Sequence, residues 1–168
     1  MMSTLIVFIV FCQALGALIG ASATVWGEIS YIRALNDGTI THAERAHLRI
    51  IAHGLRFGMT LLLVASFALV ISAYLSRSVV QPALTTSYWA LMLLAFLIIY
   101  VSWALSRQRI SFALGSALAF TAWWFLAYLT FGWMPALTFT AISAFFIIAA
   151  GIFYFILTYA RMLAGGGK

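Results

Sequence analysis

Apolar positions fall into five long runs, roughly 3–26, 56–76, 86–105, 110–131 and 136–160, separated by short polar stretches. Each is of the order of the ~20 residues needed to cross the hydrocarbon core of a bilayer. None alternates apolar with polar residues as a barrel strand does. Backbone groups in lipid must also be satisfied within their own segment, so every run predicts a helix. The last three runs are divided only by Ser106-Arg107-Gln108-Arg109 and Gly132-Trp133-Met134-Pro135, and a polar link with Arg77, Gln81 and Pro82 joins the second to the third. Connections this short make successive helices antiparallel neighbours. The expected fold is all-α: one transmembrane domain over 1–168, a polytopic bundle of five membrane-spanning helices.

One polar stretch is longer than a turn. Residues 27–55 read as a cytosolic loop and an amphipathic helix. Asn36-Asp37-Gly38 is a turn sequence, because Asn and Gly tolerate left-handed backbone angles. Thr41 and Glu44 form a capping box that starts a helix at His42. At helical spacing His42, Arg45, Arg49, His53 and Arg56 share one face, while Leu48, Ile51 and Leu55 lie on the other. This segment should lie along or steeply enter the inner interface and continue into the second span, with Gly54 and Gly58 permitting a bend. Its basic face is expected to meet anionic lipid headgroups or the acidic surface of a partner subunit.

Charge then orients the bundle. Arg33, Arg45, Arg49, Arg56, Arg107, Arg109, Arg161 and Lys168 fall on one side and Arg77 on the other, eight against one. Cytoplasmic loops carry the excess of Lys and Arg, which puts the N-terminus outside and the C-terminus in the cytoplasm. Tyr74, Tyr88, Trp89, Tyr128 and Trp133 fall near the outer interface, and Trp26, Tyr31, Trp103 and Tyr159 near the inner one, where half-wet rings belong. A content of 65% hydrophobic and 7% charged residues, against about 25% charged in soluble domains, leaves a multi-pass protein of the cell membrane, of the bacterial inner type. The net charge of +6 belongs to loops and to no nucleic-acid motif, so anionic lipid, not nucleic acid, is the expected neighbour. Residues 1–27 hold no Lys or Arg. The first run therefore reads as a retained helix, although Ala21-Ser22-Ala23 has the form of a cleavage site.

That first helix is thin. Gln13, Gly16, Gly20 and Thr24 line one face, and small residues let helix backbones approach closely in lipid, within the bundle or in a dimer. Gln13 should donate across a helix interface, since an unpaired amide is unfavourable in hydrocarbon. Trp123 and Trp124 read as packing bulk or lipid-facing rings, and Leu91 as a lipid-facing position.

Candidate chemistry is sparse. The histidines are five and six residues apart, unlike the spacing that converges on zinc. No cofactor is expected; the weak exception is His53, which with a partner's ligand could hold a haem or metal. The oxygens of a calcium loop are missing before Gly38. Cys12 is alone, so no internal disulfide forms. Glu28, Asp37 and Glu44 are confined to the inner loop, which leaves no acid or base inside the membrane for catalysis or proton coupling. Hydroxyls at Ser111, Ser116, Thr121, Thr138, Thr140 and Ser143 could line a pore in an oligomer, or could serve as interhelical glue. Trp26-Gly27-Glu28 followed by a histidine-bearing helix resembles bacterial membrane proteins of the copper-resistance type, but Gln13 stands where a histidine would be expected and the metal-ligand runs are absent. The reading is a small non-enzymatic structural or accessory subunit that packs with a partner membrane protein or with itself. The alternatives are an oligomeric channel or transporter for a small solute or ion, and a haem- or metal-associated subunit using His53.

Overall fold

A computed structural model of the chain describes the backbone of residues 2–37, 42–77, 81–133 and 138–165, with side chains over 4–34, 49–77, 81–133 and 138–164. Within it lie α1 (Met2–Asp37), α2 (His42–Leu75), a 3₁₀ turn (Pro82–Leu84), α3 (Thr86–Ser106), α4 (Phe112–Thr130) and α5 (Phe139–Gly165). All five α-helices are long and apolar enough to cross a membrane.

The helix ends that are described close with local hydrogen bonds. Thr85 starts α3 by accepting a bond from the Tyr88 amide, and Ser111 starts α4 by accepting from Leu114. α3 stops where Gln108 takes a φ of 54° and the Arg109 amide reaches back to the Ala104 carbonyl at 2.9 Å. The same device closes α4: Gly132 has a φ of 68° and the Trp133 amide donates to the Tyr128 carbonyl at 3.1 Å. Both are Schellman-type ends, which satisfy carbonyls that a helix otherwise leaves open.

α3 and α4, 21 and 19 residues, are about 32 and 29 Å long, which matches one bilayer core. α1 and α2 are longer, 36 and 34 residues. The stretch 27–37, read above as loop, is helix: α1 does not stop at Trp26-Gly27. The ring of Tyr31 meets Phe112, the first residue of α4, so the last turns of α1 project past that end of the bundle. The basic stretch from His42 is the start of α2 itself, one uninterrupted helix. The turn at Gly38 and the box begun at Thr41 lie outside the described residues.

The centre is built on the thin face of α1. A Cβ at Gly16 would stand 2.8 Å from both the Gly58 carbonyl oxygen and the Leu62 amide nitrogen, so α1 and α2 touch backbone to backbone. A Cβ at Gly20 would collide with the ring of Trp123, which is 1% exposed and the largest fully buried side chain. Trp123 is therefore packing bulk. Around it gather Ala17, Ala21, Leu62, Leu91, Ala95 and Leu126. Leu91, expected to face lipid, is 4% exposed and belongs to this core; Leu93 and Phe96 are the outward residues of that turn. Gly58, expected to permit a bend, is instead a contact point between Gly16 and Gly20.

Candidate functional site

Among the described residues, polar side chains of different helices meet inside the bundle around Gln13 and around Arg161. Toward the α1 N-terminus the Gln13 amide donates to Ser66 Oγ at 2.9 Å, and Ser66 donates onward to the Leu62 carbonyl at 2.7 Å. Both residues are buried. Gln13, expected to donate across a helix interface with no partner specified, donates to α2. Thr24 serves its own helix, donating to the Ala21 carbonyl at 2.7 Å.

The second place joins three helices at the opposite, basic end. Arg161 on α5 reaches Glu28 Oε2 on α1 at 2.6 Å with Nη2, and the same nitrogen donates to Ser116 Oγ on α4. The two charged side chains are 9% and 10% exposed. The Arg161 guanidinium lies 5.3 Å from the centre of the Tyr31 ring and 5.2 Å from that of Phe112. Such faces attract a cation. Its Nε and Nη1 are buried without a hydrogen-bond partner among the described residues. Glu28 was expected in a cytosolic loop. It is instead a buried helical residue, because α1 continues and turns it towards α4 and α5. A charge here survives desolvation only when paired, and Arg161, placed in the tail by its position, is that pair. One signal for it stood in the sequence: a lone acid and a lone base just beyond the first and last apolar runs, at one end of the expected bundle.

The basic face of α2 is partly described. Arg49, His53 and Arg56 are exposed; the side chains of His42 and Arg45 lie outside the described ones. His53 Nδ1 is 2.8 Å from the Arg49 carbonyl oxygen, so that nitrogen bonds to the backbone one turn earlier. No cluster of three or more metal-ligating side chains occurs among the described residues.

Between α2 and α3 a lateral groove of about 480 Å³ opens, lined among others by Arg56, Met59, Thr60, Leu63, Ile98, Ser102 and Trp123. α2 packs mainly on α1, which leaves this side unfilled. Thr60 donates to the Arg56 carbonyl at 2.9 Å.

Of the hydroxyls that could line a pore, four are otherwise occupied. Ser111 caps α4, Ser116 accepts from Arg161, Thr121 donates to the Ala117 carbonyl, and Thr138 accepts from the Ala141 amide. The fold and its polar contacts define a small multi-pass helical membrane protein. Comparison with protein-family models, with curated proteins and with solved structures yields no match.

Proposed function

We propose that the chain is a non-enzymatic accessory or structural subunit of a bacterial-type inner membrane, which packs through α5 against a partner membrane protein or a second copy of itself. The observation that carries this reading is the marginal burial of α5. Over its most apolar stretch 6% of residues are buried, against 39–44% in the other four helices. Its outer stripe sets Ile148, Ile152 and Phe155 around Gly151, above which a Cβ would meet nothing within 4 Å. A small residue among bulky ones is a notch, the feature through which helices dock in lipid, where apolarity alone does not drive association. The exposed Arg49 offers a forked cation to a partner's carboxylates at the basic end.

Mass measurement after gentle extraction into lipid nanodiscs tests it. A stoichiometric second protein or a homodimer is expected, lost on Gly151→Leu and weakened by Arg49→Lys, since lysine lacks the planar bidentate geometry. A homogeneous monomer, unchanged by either substitution, would overturn the proposal.

A further inference from the structure

The groove between α2 and α3 has a charged mouth and an apolar floor. Using α3 as a ruler, Ser102 lies four residues before the helix end at Ser106, about 6 Å inside it. Arg56 lines the same groove and is therefore recessed by about a turn from the basic end of the bundle. A charge at that depth is unfavourable unless it meets a counter-charge or reaches the interface, and such residues commonly mark sites. Arg56 has no ion pair among the described residues, and the one described carboxylate, Glu28, is committed to Arg161 on α5. At the same end of the bundle, outside the groove's lining, Arg107 and Arg109 stand over Trp103 at 6.0 and 5.6 Å. The mouth is cationic and nothing described within the protein neutralises it.

Below the mouth the lining changes character. Met59 and Leu63 follow Arg56 down α2, Ile98 and Ile99 face them from α3, and Trp123 closes the floor. From Arg56 to Leu63 the groove descends about 10 Å along the helix. Its volume of about 480 Å³ is in the range of pockets that hold a small organic ligand.

We propose that this groove holds one anionic phospholipid, its phosphate on Arg56 with the Ser102 hydroxyl donating, and the upper part of one acyl chain against Met59, Leu63 and Ile98. The charge of Arg56 selects the anion, and the apolar floor distinguishes a lipid from a free phosphate. The site does not depend on the accessory-subunit reading: that reading is tested on α5, and this one on lipid retention by the chain.

The full-length protein, exchanged into mixed micelles with equal phosphatidylglycerol and phosphatidylcholine, is read by native mass spectrometry for bound lipid. One retained phosphatidylglycerol per chain is expected. Arg56→Gln should reduce its retention about five- to tenfold, the scale of one near-surface charge. Ile99→Trp, which fills the groove from its exposed rim, should reduce it as well. Arg33→Gln removes the same charge from an exposed position on α1 and should leave retention unchanged. Equal loss in Arg33→Gln and Arg56→Gln would show diffuse surface attraction and overturn the site. Equal retention of phosphatidylcholine, or displacement of the lipid by millimolar inorganic phosphate, would also overturn it. Unaltered melting of each variant separates lost binding from lost fold, and persistence of any partner complex in Arg56→Gln separates this result from the α5 proposal.

Discussion

At Gly16 and Gly20 the fold depends on the absence of a side chain. The two positions are not equivalent, because a Cβ at Gly16 meets backbone of α2 whereas one at Gly20 meets an indole. Backbone cannot swing aside, and the indole is held in a filled core, so both sites resist growth. Gly16→Ala should destabilise by about 1–3 kcal/mol, the usual range for overpacking, and Gly20→Leu should do at least as much by expelling Trp123. Thermal melting in mild detergent reads both, with Leu93→Ala as the outward-facing comparison; equal melting in all three would show that the small face is incidental. Gln13, Gly16 and Gly20 were legible in the sequence because polar and very small residues stand out in an apolar helix. Leu91 was not, and Trp123 was legible only as packing bulk or a lipid-facing ring, of which the structure shows the first. Lipid tails are as apolar as leucine, so hydrophobicity cannot tell Leu91, in the core, from Leu93, outside it. Gly54 and Gly58 repeat on α2 the spacing of Gly16 and Gly20, and that match between two helices was the available sign that they pack together.

Among the elements, α1 departs most from its sequence pattern. Apolarity ends at Trp26, yet the helix continues to Asp37, since a helix needs only satisfied backbone and a partner for each buried charge. Glu28 finds that partner on α5 and Ser116 supplies a third helix, so the ends of α1, α4 and α5 are clamped at one level. Short-range pattern could not reveal this contact, because it joins residues 133 positions apart. Arg161→Met should be strongly destabilising, by about 3–5 kcal/mol, as it strands a buried carboxylate. Adding Glu28→Gln should recover most of that loss, because the stranded charge goes with it. Unfolding in detergent titration measures both; equal instability of the single and double variants would mean that the guanidinium acts through its contacts with Tyr31 and Phe112, not through the ion pair. The existence and order of the five spans were legible, since each apolar run is long enough on its own to demand a helix in lipid.

For the molecule as a whole, the structure brings the described basic residues other than Arg77 to one end. Tyr31 meets Phe112 and Arg161 meets Glu28 and Ser116, so the C-terminal parts of α1 and α5 lie beside the start of α4, with Arg107 and Arg109 in the preceding turn. Arg77 follows α2 at the other end, at a φ of 47°. A bundle with five antiparallel spans puts its two termini on opposite faces, and the positive-inside bias then selects the sidedness. Reporter fusions after residues 40, 108 and 168 should be cytoplasmic, and those after 80 and 133 external. The fusion after 40 is the most informative, because α1 continues six residues past Tyr31, which sits at the level of the start of α4. The stretch from Arg33 to Arg56 also carries four of the eight bases that the sequence assigns to this side. An external signal there with a cytoplasmic signal at 80 would invert the bundle. The recessed Arg56 would then face the outer leaflet, and the lipid it holds would be drawn from that side.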